Sequence, residues 1–219
     1  MFPARRGSDA RSVALCPPGL GDCPMNTLRT FVAVELDEEL LGNLVDLQDH
    51  LCGQVAPRSV RWVRPGGIHL TLKFLGETLQ DQVEAVKVAL DQAVSEVIPF
   101  TFTVGGLGCF PNTRRPRVIW VGLYEPTGTL SRLRDAVESH VAPLGFPTEN
   151  RPFRPHLTLG RVQRYASKSE VREVGEVIAT SAIGTLDEMT VGQVSYIKSD
   201  LRPDGAVYTT LHEARLQRA

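Results

Sequence analysis

His69-Leu-Thr-Leu72 and His156-Leu-Thr-Leu159 spell one tetrapeptide twice, 87 residues apart (156 − 69 = 87). The same offset lays Phe31-Val-Ala-Val-Glu-Leu36 on Val118-Ile-Trp-Val-Gly-Leu123 (118 − 31 = 87) and Thr103-Val-Gly105 on Thr190-Val-Gly192 (190 − 103 = 87). Three strand-like blocks hold one register without a gap, so the chain reads as two copies of one unit. Each copy supplies one His and one Thr at the same point. That arrangement suits a symmetric cleft in which two histidines face one substrate.

Working outward, Thr30–Leu36 is a β-branched and aromatic run, hence a strand. Asp37 and the acidic residues after it open a helix whose apolar positions (Leu40, Leu44, Leu47, Leu51) recur at helical spacing. Val60–Val63 is a short strand, and Ile68–Leu75 is the first histidine strand, which Gly76 is expected to break. Leu79–Val97 reads as a helix and Pro99–Phe110 as a strand. The second copy repeats the order: strand Arg117–Leu123, helix Thr127–Leu144, strand Phe153–Val162, helix Ser167–Thr180, strand Glu188–Lys198. Val207–Leu211 closes a hairpin across Pro203-Asp-Gly205. The expected fold is α+β: two similar lobes, one per copy (about 27–112 and 115–211), each a mostly antiparallel sheet flanked by helices, within one domain over 25–219. Residues 1–24, with scattered Pro, Gly and Ser and no sustained apolar run, read as a disordered extension.

Composition excludes several classes. Of 219 residues, 42% are hydrophobic and 22% charged, as in ordinary globular proteins. The 24 basic and 25 acidic residues leave a formal charge of −1, which argues against non-specific nucleic-acid binding while leaving room for a local basic site. No stretch approaches the roughly 20 apolar residues of a membrane helix, and no secretory signal is recognisable. Cys16, Cys23, Cys52 and Cys109 form no Cys-x-x-Cys pair and read as reduced thiols of a cytoplasmic protein.

The chemistry lies in the tetrapeptide. Side chains alternate along a strand, so His69 and Thr71 share one face and Leu70 and Leu72 the other. His156 and Thr158 stand in the same relation. The leucines would enter a core, and the His and Thr would face the space between the lobes. Two imidazoles across one substrate can divide acid–base work, one taking a proton from a nucleophile and one giving a proton to a leaving group. Two threonine hydroxyls can bond the non-bridging oxygens of a phosphate held between them. A lone His-x-Thr is weak, since such a histidine is usually an exposed or hydrogen-bonded side chain. Here two of five histidines take equivalent places, while His50, His140 and His212 have no matching partners. A metal site would need three or four ligands, and neither tetrapeptide contains Cys, Asp or Glu.

Arg151, Arg154, Arg161 and Arg164 cluster around the second motif and support an anionic substrate. By parity Arg161 falls on the face opposite His156 unless Gly160 breaks the strand, Lys73 shares the His69 face, and Phe74 lies off it. Core packing and stacking on a base are the two readings of Phe74. Arg114, Arg115 and Arg117 form a further patch, read equally as a solvated loop or as a contact to RNA backbone.

These motifs resemble the 2H phosphoesterase superfamily, and within it the RNA 2′,3′-cyclic phosphodiesterase family, also called 2′-5′ RNA ligases. The resemblance covers about residues 27–211. It rests on Arg29-Thr-Phe-Val-Ala-Val-Glu-Leu36, Arg61-Trp-Val-Arg-Pro65, Ile68-His-Leu-Thr-Leu-Lys-Phe-Leu-Gly-Glu77, Arg115-Pro-Arg-Val-Ile-Trp120, Arg151-Pro-Phe-Arg-Pro-His-Leu-Thr-Leu-Gly-Arg161 and Gly205-Ala-Val-Tyr-Thr209. It implies a bilobal fold around a central cleft and metal-independent opening of RNA 2′,3′-cyclic phosphate ends to a 2′-phosphate, by a monomer with no cofactor. His69 would be the proton donor and His156 the proton acceptor. Thr71, Thr158 and Arg161 would hold the phosphate, and Phe74 would lie near the base. Ligation, action on small cyclic nucleotides or 2′-5′ oligonucleotides, and a non-catalytic RNA or nucleotide-binding role are the alternatives.

Overall fold

A computed structural model describes residues 26–203 and 205–217; the expected extension over 1–24 lies outside them. The order is β1 (Thr27–Glu35), α1 (Glu38–Cys52), β2 (Val60–Trp62), β3 (His69–Leu79), α2 (Val83–Val94), β4 (Phe100–Phe110), β5 (Val118–Tyr124), α3 (Thr129–Val141), β6 (His156–Val162), α4 (Lys168–Thr180), β7 (Thr185–Val191), β8 (Gln193–Arg202) and β9 (Gly205–Arg215). Local chemistry starts the helices. The Asp37 carboxylate accepts from Leu40 N–H at 2.9 Å to cap α1. Ser167 and Glu170 close a reciprocal capping box on α4.

Two antiparallel sheets form, ordered β3-β1-β8-β9 and β2-β6-β5-β4-β7. The lobes are therefore not the two halves of the chain. Strand β8 of the second copy pairs with β1 of the first, and β4 of the first pairs with β5 of the second. The exchange respects the repeat. Phe31 lies opposite Ile197, and Val118 opposite Phe110, which is the same pair carried 87 residues along (118 − 31 = 197 − 110 = 87). Helices follow suit: α2 and α3 lie on the first sheet and α1 and α4 on the second. The reason is geometric, since a strand that ends one copy buries its apolar face by joining the first strand of the other.

The second departure decides the site. Between Val32 and Ala33 the β1–β3 ladder slips by one residue, and the β5–β6 ladder slips at the equivalent step, Ile119 to Trp120. Leu72 and Leu159 are the extra residues, so both histidine strands carry a β-bulge. Parity reverses beyond it. Leu70, Leu72 and Lys73 are buried while Phe74 is exposed; Leu157, Leu159 and Gly160 are buried while Arg161 is exposed. The parity expected for Lys73, Phe74 and Arg161 is thus inverted. Gly160 does not end its strand but pairs with Trp62 and Ile119.

Smaller differences follow the same logic. Gly76, at φ +75°, sits at a second slip and lets β3 run on to Leu79 instead of breaking it. The helix expected from Leu79 begins only at Val83, after a 3₁₀ turn over Gln80–Gln82. The strand expected over Glu188–Lys198 is two strands in different sheets, with Gly192 between them.

Candidate functional site

On the face of the first sheet turned away from α2 and α3, His69 lies opposite Glu35, Thr71 opposite Ala33 and Phe74 opposite Phe31. The His69 ring stacks on Phe31 (centroids 4.7 Å apart, 26° between planes), and Tyr208 of β9 meets it edge-on at 5.4 Å. Phe31, Ala33, Ile197 and Tyr208 form a small apolar cluster apart from the main core. Desolvation by this wall pushes the His69 imidazole down from 6.5 to about 4.

On the second sheet Thr158 lies opposite Trp120, and His156 opposite Gly122. Phe110 meets the His156 ring edge-on at 5.0 Å, with Trp120 at 6.4 Å. His156 Nδ1 lies 2.7 Å from the Arg154 carbonyl oxygen. A carbonyl only accepts, so Nδ1 carries a proton and Nε2 is left to face a ligand. The two motif strands, β3 and β6, come into contact where the sheets meet.

The structure separates the basic residues. Arg161 stands on the His156 face, and Arg61 of β2 lies directly opposite it. Both are exposed, and neither has an acidic partner among the described residues. Like charges opposed across a ladder repel, so this pair invites an anion. Arg151 instead pairs with Glu149 at 2.6 Å. Lys73 is buried against Glu138 at 2.6 Å, away from the cleft. The other histidines have structural partners: His50 with Gln54, His140 with the Ala136 carbonyl at 2.8 Å and His212 with Asp91 at 2.8 Å.

Sequence reasoning assigned no role to Arg61, Phe31, Tyr208, Phe110 or Trp120. Only pairing across elements remote in sequence reveals them, although Phe31, Arg61, Trp120 and Tyr208 stand inside the quoted motifs. Among the described residues no three His, Cys, Asp or Glu side chains group closely enough to share a metal ion. No described helix is long and apolar enough to cross a membrane.

Comparison with known proteins agrees with this architecture. Residues 34–120 and again 121–208 match the family described as LigT like phosphoesterase, the two matches starting 87 residues apart (121 − 34 = 87). The chain is 33% identical over 189 residues to a Methanothermobacter thermautotrophicus protein named RNA 2′,3′-cyclic phosphodiesterase, covering 86% of this chain and 99% of that one. A Thermotoga maritima protein of the same name is 32% identical over 190 residues, covering 87% and 96%. Among solved structures, the Thermus thermophilus protein TT0787 superposes with a TM-score of 0.73 at 28% identity, covering 87% of this chain and 99% of that one. E. coli LigT complexed with 3′-AMP gives 0.69 at 25% identity, with the same coverage. The repeated match, the two exchanged antiparallel sheets and the paired His-x-Thr strands make this chain a member of the LigT-like phosphoesterase family.

Proposed function

We propose that the protein opens 2′,3′-cyclic phosphate ends of RNA to a 2′-phosphate with two histidines and no metal. One observation carries the reading: each motif strand sets a His and a Thr on one face, and the same bulge in both strands turns Phe74 onto the face of the first pair and Arg161 onto the face of the second. The names of the relatives supply the substrate class.

Thr71 and Thr158 hydroxyls donate to the non-bridging phosphate oxygens, and Arg161 neutralises the charge that grows on them as water adds. His156, its Nδ1 proton held by the Arg154 carbonyl, presents Nε2 as the acceptor that takes the proton of the attacking water. The bond from phosphorus to the 3′-oxygen breaks in line with that attack, and His69 protonates the departing oxygen. With its pKa near 4, His69 is neutral in the free protein at neutral pH, so in this scheme the charge of the entering phosphate diester raises that pKa and the imidazole takes its proton from solvent. The reverse assignment has one observation in its favour, the burial that lowers the His69 pKa to about 4 and suits a base.

An oligoribonucleotide with a cyclic end, incubated in excess chelator, is expected to yield a 2′-phosphate. Both His69→Ala and His156→Ala are expected to slow turnover by roughly 10²–10⁴-fold. A substrate with sulfur in place of the 3′-oxygen has a leaving group that needs no acid. It restores the rate of whichever variant lacks the proton donor, expected to be His69→Ala. Full activity in either variant with the normal substrate would sink the two-histidine scheme.

A further inference from the structure

Two segments lead into the two motif strands, and the repeat makes them equivalent: Val60–Trp62 and residues 147–149 (147 − 60 = 87). The first is fastened by backbone. Strand β2 pairs with β6, and Val63 N–H donates to the Leu159 carbonyl at 2.8 Å. Buried Gln48 of α1 donates to both the Val63 and Leu159 carbonyls, at 2.9 and 2.7 Å. Gly160 leaves the room for this, since a Cβ there would come within 2.7 Å of Val60 Cγ1 and 3.0 Å of Trp62.

The second segment forms no strand. Where the second copy has Gly160, the first has Lys73 (160 − 73 = 87), turned inward by the bulge. Its ammonium donates to the Pro147 carbonyl and pairs with Glu138 of α3 at 2.6 Å. Glu138 also accepts from Glu149 N–H at 3.3 Å. Arg134, 3.2 Å from Glu138, donates to the Glu149 carbonyl at 3.1 Å and lies over the Phe153 ring at 5.7 Å. The next residue, Arg154, is the one whose carbonyl holds His156 Nδ1. Lys73 and Glu138 are only 5% and 4% exposed.

We propose that Lys73 is a positioning residue for His156, acting from the opposite sheet. Its ammonium replaces the strand pairing that the other copy uses, and so fixes the run from Pro147 to Arg154 whose last carbonyl sets the imidazole. A buried Lys–Glu pair is a poor way merely to stabilise a core, because desolvation offsets the attraction. Here the pair also binds main chain at two points of a segment that has no ladder of its own. The inference rests on His156 being one of the working imidazoles, but its physical content, the orientation of that ring, can be read without turnover.

The test uses the full chain. ¹H–¹⁵N spectra of the histidine side chains report the His156 tautomer, and kinetics on a cyclic-ended oligoribonucleotide report its use. Lys73→Met is expected to move His156 from the Nδ1–H toward the Nε2–H form. It is also expected to lower kcat roughly tenfold or more, with KM within about twofold, as misplacement of a reacting group does. Lys73→Met/Glu138→Met also removes the buried carboxylate, which Lys73→Met leaves with Arg134 as its one remaining ion-pair partner among the described residues, and should recover thermal stability but neither kcat nor the tautomer. Arg134→Met, which spares the buried pair, should show the same direction of change more weakly. If the double variant and Arg134→Met both keep the Nδ1–H form and the parent kcat, Lys73 is only structural and the proposal falls. If the tautomer moves while the parent protein leaves cyclic ends untouched, the positioning inference stands and the assigned reaction is what fails.

Discussion

Phe74 and Arg161 occupy the same position of the two copies (161 − 74 = 87), and the same bulge turns both onto the histidine face. The site is therefore symmetric in its two His-x-Thr pairs and asymmetric in what flanks them. Phe74 stands on the His69 face opposite Phe31, the ring that stacks on His69, and Arg161 stands on the His156 face opposite Arg61. A terminal nucleotide has the matching asymmetry, a flat base on one side of its phosphate and further backbone charge on the other. In the proposed reaction this asymmetry would orient such a substrate, which two identical motifs could not.

Phe74 is 68% exposed and packs little, so Phe74→Ala is expected to change unfolding free energy by no more than about 0.5 kcal/mol. Loss of base stacking should weaken binding of a cyclic-ended oligonucleotide by about 1–3 kcal/mol. Titrating the His156→Ala background with substrate, alongside a thermal melt, separates the two effects. Unchanged affinity would remove Phe74 from the site.

Arg61→Ala and Arg161→Ala are expected to weaken binding of an oligonucleotide, and each should lower the slope of log affinity against log salt by about one. A mononucleotide cyclic phosphate, which has no upstream backbone, should be affected by Arg161→Ala more than by Arg61→Ala. Equal losses on both substrates would place both guanidinia on the reacting phosphate.

The His69 pKa has a consequence for stability. Unfolded, the imidazole titrates near 6.5; folded, near 4. Between these values the unfolded chain binds more protons, so this contribution is complete above about pH 6.5 and is lost as pH falls to about 4. The gap corresponds to about 3 kcal/mol. Urea unfolding at a series of pH values should show this acid loss in the parent and less of it in His69→Gln. Identical pH slopes would mean the ring is wetter than its contacts with Phe31 and Tyr208 indicate.

Gly160→Ala should be destabilising by about 1–3 kcal/mol, since its Cβ would overlap Val60 and Trp62 and must push β2 from β6. Denaturant melts measure the loss. The same displacement moves Arg61 from Arg161, so binding of an oligonucleotide should weaken along with stability. A variant as stable as the parent would show that β2 yields without cost.

Most strands and every helix were legible because their signals are local: β-branched runs, helical spacing of leucines in α1 and the acidic residues that open it. The motif residues His69, Thr71, His156 and Thr158 were legible because a repeat in register marks them without any knowledge of the fold. Arg161 was singled out by its basic cluster and Phe74 by one of its two readings, a stack on a base, both supported by the family resemblance, but their faces were misread by parity. A bulge is a property of the ladder between two strands, and neither strand's own alternation announces it.

The sequence by itself determined the two copies, their offset and which imidazoles are equivalent, because these are relations of order along the chain. Tertiary structure decided which strands share a sheet, which side of the bulge each residue faces, that Arg61 meets Arg161, and that Lys73 is buried against Glu138. Each of these depends on pairing between segments far apart in sequence. There, burial of apolar faces and satisfaction of backbone hydrogen bonds are settled jointly by both partners, and neither segment carries that information alone.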